Sequence, residues 1–481
     1  MNIVYFKRKK YFVFFIFVIF IGFFFRFYQL NFENYWLDEM VSFWSADPQI
    51  SFSETLKRSK YIDQSPVLFN LLLKYYFKLF GYNPELGRHL ALFFGFLALP
   101  FLGILSYQIK KDNSFLLTVF LAAINIYLIK YSQETRTYSL VFLLCIINLI
   151  YFYKLLLIKN ENIKIIFFNI NKTFYIFFAF IFFSFLSLSS HPFVFIILFS
   201  QFFYCIYSLI IFKNKNNLFF LSLPIIIFLY LIFNYEYILD QISYKTNYLS
   251  QVELSFFYNY FFSRFFGSKI MGSIYLFTIL FLVMYFKKNI FLKFNFYLPL
   301  IFILLFSYII PLSYGFIRVP VLNDRYIIFV LISILILIST LIFELPNKKI
   351  KFFFLIFILF PTLINHFIEI KFRVNSKPEF AAILNLLKKN ETKDLVLIKS
   401  RDREQKLVKN YIVHMKEFTN NDFKMNHMSN IQSNLNFVWI ICYEPLVGFN
   451  CNLKEKDKKN FTLIDKKQKH LVSAKLYKIK K

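Results

Sequence analysis

The sequence predicts a polytopic α-helical membrane protein of about eleven transmembrane helices with a small α/β domain at its C-terminal end. Three observations predict it. The 481 residues are 58% hydrophobic and 23% aromatic, with only 9 glycines, a composition that fits lipid and not a soluble core. Apolar runs close to the roughly 20 residues that a bilayer core demands recur along the chain. From about residue 371 the pattern changes to alternating helix-period and strand-like segments.

The apolar runs fall at about 11–30, 89–108, 114–131, 137–158, 173–190, 192–212, 217–238, 271–286, 295–313, 326–344 and 350–369. The first follows Lys7 to Lys10. It is longer than the apolar core of a signal peptide and does not end at small residues, so an uncleaved span is expected. The stretch 173–212 is interrupted only by His191-Pro192; a tight hairpin of two spans keeps the later loops in phase, and one bent span is the alternative. An odd number of spans puts the termini on opposite sides. With the N-terminus cytoplasmic, the inner loops hold Lys7 to Lys10, Lys110 and Lys111, Lys154 to Lys172, Lys213 and Lys215, Lys287 to Lys293, and Lys348 to Lys351. Every inner loop is then basic, as the positive-inside rule requires. The corresponding location is a bacterial inner membrane, with residues 1–370 as the membrane domain, 31–88 as its first outer loop and 371–481 as a periplasmic domain.

Within the first outer loop, Ser65 and Pro66 suit the start of a helix that runs to Phe80 and stops at Gly81. It would reach only roughly 22 Å, too short to span, and Lys74 and Lys78 share a face, so an interfacial amphipathic helix is expected. In the tail, Pro378 opens a helix with Phe380, Ile383, Leu384 and Leu387 on one face, and strands are expected at Asp394 to Ile398, Phe437 to Tyr443 and Ala474 to Ile479. Cys145 and Cys205 lie in apolar runs, while Cys442 and Cys451 flank a short loop. In an oxidising compartment the latter two are expected to form a disulfide, with two free thiols as the alternative. No zinc-type spacing is present.

Three groups of residues suit chemistry. The first is Tyr35-Trp36-Leu37-Asp38-Glu39, just after the first span. Adjacent carboxylates held near apolar surroundings tend toward raised pKa values that suit base work; the plainer reading makes Asp38 an N-cap of the following helix. The second is arginine. Only 11 of the 56 basic residues are Arg, and Arg26, Arg58, Arg88, Arg136, Arg264, Arg318 and Arg325 fall at or near the outer face. A guanidinium fork matches phosphate where an ammonium is a point charge, so the set suggests a phosphate ligand there; each arginine alone also reads as a snorkelling span end. The third is Gln133-Glu134-Thr135-Arg136-Thr137-Tyr138, with an acid, a guanidinium and a phenol within about one helical turn, or simply a local ion pair. His191 is a candidate substrate or metal contact, or a structural hydrogen-bonder. There is no P-loop or dinucleotide fingerprint, and no nucleic-acid partner is expected.

The order of these features resembles the C-type glycosyltransferase superfamily, in its branch of protein O-mannosyltransferases and aminoarabinose lipid A transferases. The resemblance rests on Leu37-Asp38-Glu39, Asp63-Gln64-Ser65-Pro66 leading into Leu71-Leu72-Leu73-Lys74, Leu79-Phe80-Gly81, Gly87-Arg88, Tyr131 to Tyr138, Ser190-His191 and Asp324-Arg325-Tyr326. It covers roughly residues 1–200 closely and the rest by layout. Ser65-Pro66 departs from the Pro pair or His-Pro common in such proteins. The resemblance implies inverting transfer of a monosaccharide from a polyprenyl-phosphate carrier to a lipid, glycan or protein hydroxyl. It implies a first-loop carboxylate, Asp38 with Glu39 beside it, as the catalytic group. Arg88, Glu134, Arg136, Tyr138, His191 and Arg325 would contact donor phosphate or substrate. A divalent cation is left open as a cofactor, with Glu39 and His191 as its candidate ligands. A flippase or an O-antigen-ligase-like enzyme is the alternative, although neither the internal repeats and buried mid-span charges of a flippase nor a large late outer loop is evident.

Overall fold

The computed structural model describes residues 9–60, 67–157, 162–165, 168–212, 220, 222–236, 239, 263–287, 295–388, 395–399, 402–418, 424–426, 437–443 and 461–479. The first span is α1 (Lys9–Phe27). The first loop folds into α2 (Leu37–Ser45), α3 (Phe52–Arg58) and α4 (Leu68–Phe80). The bundle continues with α5 (Pro84–Ile109), α6 (Ser114–Ala123), α7 (Ile126–Ser132) and α8 (Tyr138–Leu156). After a hairpin of β1 (Asn162–Ile165) and β2 (Phe168–Asn171) come α9 (Lys172–Ser190), α10 (Phe195–Phe212) and α11 (Ser222–Phe233). The last membrane elements are α12 (Ser263–Phe266), α13 (Lys269–Tyr285), α14 (Leu298–Ile317), α15 (Val330–Glu344) and α16 (Lys348–Lys371).

Among the described residues seven helices are long and apolar enough to cross a membrane, or eight if α6 and α7, bent by 58°, make one crossing. The shorter apolar helices α11, α13 and α15 fill the remaining predicted runs. The chain is therefore a multi-pass membrane protein. The segments on either side of His191-Pro192 are each long enough to span, so this region holds two spans. Helix α15 is the centre of the bundle, with every residue from Val330 to Ile342 buried, whereas among the described residues only Val18, Gly22 and Arg26 of α1 and Phe354, Ile358, Thr362 and His366 of α16 are buried. Such all-round apolar helices sort by what surrounds them, protein or lipid.

The bend between α6 and α7 leaves the carbonyls of Ala122 and Ala123 without helical partners. Arg26 supplies them: its guanidinium, 1% exposed, donates to Ala122 and Ala123 O at 3.1 Å each and to Gly22 O at 2.9 Å. Close approach of α5 to α7 requires Gly95, where a Cβ would lie 2.0 Å from Ser132 Oγ.

Beyond α16 lie α17 (Phe380–Lys388), β3 (Leu395–Lys399), α18 (Asp402–Val413), β4 (Lys424–Asn426), β5 (Phe437–Tyr443), β6 (Phe461–Lys469) and β7 (Val472–Ile479). The strands form one sheet in the order β4-β3-β5-β7-β6, with β3 parallel to both neighbours and β7 antiparallel to both. As expected, Phe380, Ile383, Leu384 and Leu387 form the buried face of α17. The domain shares its core with the first loop: Met40, Phe43, Phe69 and Phe77 pack in one cluster with Leu384, Val408, Tyr411 and Trp439.

One expectation changes. Lys74 does not face the membrane surface; it is 7% exposed and donates to Asp47 O and Thr55 Oγ1, both at 3.1 Å, and to Ile50 O. The α4 helix thus turns one lysine inward to tie down the loop ahead of it, and Gly81 ends it at φ +106°. The expected start at Ser65 and most of the second outer loop, about 239–270, lie outside the described residues. Cys442 is disulfide-bonded, and Cys145 and Cys205 are free and buried; Cys451 lies outside the described residues.

Candidate active site

Residues 33–39 leave α1 and enter α2 at the end of the bundle where α5 begins. Trp36, in extended conformation, is the N-cap residue of α2, and no side chain caps the helix. Asp38 is therefore not the cap. It sits in the first turn, where the helix dipole favours a negative charge, and its Oδ2 accepts from Arg325 Nη1 at 2.7 Å. Both side chains remain partly open, 24% and 20% exposed. Arg136 comes from the turn between α7 and α8 and donates through Nη1 to Asp38 O at 3.1 Å and Ser42 Oγ at 3.2 Å. Arg325 stacks over Trp36 at 5.1 Å and over Tyr326 at 5.6 Å. Tyr138 lies beneath both guanidinium groups, 5.9 Å from each. His191 closes this side, 5.1 Å from the Tyr326 ring and 6.3 Å from that of Tyr138. An acid, two guanidinium groups and an aromatic wall thus meet around Asp38, drawn from the first loop, the α7–α8 turn, the α9–α10 turn and the start of α15.

Glu39 points the other way. It is fully buried and accepts from Arg88 Nε and Nη2, both at 3.1 Å, from Lys377 Nζ at 2.8 Å and from the Thr135 N–H at 2.9 Å. Lys377 also pairs with Glu134 at 3.2 Å, which makes a buried quartet of two acids and two bases. Burial by itself raises the Glu39 pKa, but Arg88 and Lys377 outweigh it and lower the value to about 2. The expectation of a raised pKa is thus reversed for Glu39: it is a permanent anion held by two cations. Arg88 is equally committed, since its remaining N–H groups reach the carbonyls of Leu30, Glu33 and Asn34. It shapes the loop and faces no open space.

The residues expected to act are Asp38, Glu39, Arg88, Glu134, Arg136, Tyr138, His191 and Arg325. The structure places Asp38, Arg136, Tyr138, His191 and Arg325 in one cluster, and Glu39, Arg88 and Glu134 in a buried layer beside it. Of the other outer arginines, Arg26 caps the α6–α7 break and Arg58 pairs with Glu54 at 3.2 Å and stacks on Trp44. Lys377 was missed. Nothing in the run Asn375-Ser376-Lys377-Pro378 separates it from the many other lysines of the chain.

The donor set does not fit a divalent cation on Glu39 and His191. Glu39 is already saturated by two cations and an amide, and His191 Nδ1 accepts the Phe193 N–H at 3.2 Å as a helix cap. Among the described residues no three acidic, histidine or cysteine side chains group together. No step below is routed through a metal.

No protein-family model matches the sequence, and no curated protein sequence does. Solved structures do match. The oligosaccharyltransferase of Archaeoglobus fulgidus in its apo form aligns with a TM-score of 0.53 at 10% identity, over 85% of this chain and 64% of that one. The same enzyme in complex with Zn and sulfate gives 0.52 at 10% identity, over 89% and 67%. The chain thus spans just under two thirds of the first of these structures. ArnT from Cupriavidus metallidurans bound to undecaprenyl phosphate gives 0.58 at 9% identity, over 97% of this chain and 98% of that one. At such identities the likeness shows the fold alone: over nearly its whole length the chain shares the fold of ArnT, and over most of it that of the oligosaccharyltransferase.

Proposed function

We propose that the chain is an inverting glycosyltransferase that moves a monosaccharide from a polyprenyl-phosphate carrier to a hydroxyl of a lipid, glycan or protein. The reaction would take place at the outer face of a bacterial inner membrane. The observation that carries the reading is the partly open Asp38 between Arg325 and Arg136, on a fold that ArnT presents with undecaprenyl phosphate bound.

The chemistry follows from the groups present. Without donor, Arg325 pairs with Asp38. A donor phosphate competes for the same guanidinium fork, so binding it turns Arg325 toward phosphate and releases the carboxylate. Asp38 then takes the proton of the acceptor hydroxyl while that oxygen attacks the anomeric carbon from the face opposite the phosphate. The bond from that carbon to the phosphate oxygen breaks, its electron pair leaves with the polyprenyl phosphate, and the anomeric configuration inverts. Arg325 and Arg136 stabilise the negative charge on the departing phosphate. Trp36, Tyr138 and Tyr326 offer aromatic faces beside the arginines, suited to the apolar faces of a sugar ring.

The test is transfer of radiolabel from a panel of polyprenyl-phosphate sugars by membranes containing the chain. Product carrying label with inverted configuration supports the reading. No transfer with any donor, together with movement of the intact lipid-linked sugar across the bilayer, would replace it with a flippase.

A further inference from the structure

The C-terminal domain grips the loop that carries Asp38 at several residues. The Glu33 carboxylate accepts from the Ser376 N–H at 2.7 Å and from its hydroxyl at 2.8 Å. The Tyr35 N–H donates to the Tyr411 hydroxyl at 2.9 Å, and the two rings stack at 5.1 Å. The Asn34 Oδ1 accepts from the Ala381 N–H at 3.0 Å. Glu39 binds Lys377 at 2.8 Å. Glu33, Asn34, Tyr35 and Glu39 are thus fixed from the C-terminal side, and Asp38 is left to face Arg325.

Lys377 is the charged member of this grip. Its side chain is 7% exposed, and those of the acids it bridges, Glu39 and Glu134, are 0% and 4% exposed. With Arg88 the four groups sum to zero charge; without Lys377 two buried acids share one guanidinium and one negative charge is uncompensated. A buried unbalanced charge is costly and is relieved by moving a side chain or admitting water. The groups next in line are the Thr135 N–H, bound to Glu39, and the adjoining Arg136 and Asp38.

We infer that Lys377 is a positioning residue: by neutralising the Glu39–Glu134 pair it holds residues 33–39 and the 134–136 turn in register, so that Asp38 and Arg136 meet the substrate in the right geometry. This rests on the transferase reading for its effect on turnover, but not for its effect on the loop.

The experiment compares the full-length chain with Lys377→Met, Lys377→Arg and the double variant Lys377→Met/Glu134→Gln, at matched amounts in nanodiscs. Two readouts are taken: hydrogen exchange in peptides covering 33–39, and donor-dependent transfer. Lys377→Met is expected to raise exchange and to lower kcat on the order of 10²-fold, as a small misplacement of reacting groups does, with the donor KM changing less. The double variant restores charge balance and recovers most of both, and Lys377→Arg stays near wild type. Wild-type exchange in Lys377→Met, or a loss that the double variant does not relieve, would overturn the inference. Should the wild type transfer from no donor, the function reading fails while the exchange data still decide the role of Lys377.

Discussion

Asp38 and Arg325 stand 287 positions apart in the chain, yet Oδ2 of one lies 2.7 Å from Nη1 of the other. One belongs to the first outer loop and the other to the turn that feeds the central helix α15. The pair joins the two elements directly; in the proposed reaction, its guanidinium is the group that a donor phosphate would have to win. Arg325→Lys and Arg136→Lys keep a positive charge but remove the planar fork. Both are expected to weaken donor use, seen as a raised donor KM, while the amount inserted in membranes stays near wild type. An unchanged KM in both variants would remove them from the donor site.

The buried quartet gives a pH signature. Glu39 is depressed from an ordinary 4.5 to about 2, so its contribution to stability is fully present above about 4.5 and is lost as the pH falls toward about 2. Removing one partner of a buried pair costs about 3–5 kcal/mol. Thermal unfolding in nanodiscs should therefore show Glu39→Gln well below wild type at pH 7, with the gap narrowing between pH 4.5 and pH 3. A gap independent of pH would contradict the ionised, doubly paired carboxylate.

Arg26 separates structural from functional arginines. Its guanidinium caps the broken α6–α7 crossing, and hydrogen bonds from a charged group contribute roughly 1.5–3 kcal/mol. Arg26→Met is expected to lower the unfolding temperature and the yield of inserted protein while leaving turnover per inserted molecule intact. A loss of turnover at full stability would return Arg26 to the donor site.

The two ends of α5 show which groups share a side of the bundle. Lys416 pairs with Glu85 at its start, at 3.0 Å, and Lys110 pairs with Glu344 just beyond its far end, at 2.8 Å. With the first loop outside, single cysteines at Lys60 and Lys416 should react in intact spheroplasts, and one at Lys349 only after lysis. The reverse pattern would move the site to the cytoplasmic face.

The fold was largely legible because a span announces itself by length and apolarity alone: all eleven predicted runs contain helices, displaced by only a few residues. The site was legible to half its depth. Asp38, Arg136 and Arg325 could be picked out because an acid and scarce arginines at the outer ends of spans are exceptions to local pattern. The roles of Glu39, Arg88 and Lys377 were not legible, because a buried ion-pair network joins positions 49 and 338 apart, and no local period marks which lysine is buried. Strand β6 escaped for the opposite reason: its segment Phe461–Lys469 is mostly exposed and polar at the sheet edge, so it lacks the apolar alternation that marks a strand.

In the proposed reaction Asp38 takes the acceptor's proton, and Asp38→Asn removes that base while keeping the side chain's shape. The amide is nearly isosteric and, with no side chain capping α2, its introduction removes no cap. The measurement is transfer of label from a polyprenyl-phosphate sugar by membranes holding matched amounts of wild type and Asp38→Asn. A fall on the order of 10² to 10⁴ in rate with unchanged insertion is expected for loss of a general base; turnover near that of wild type would contradict the account.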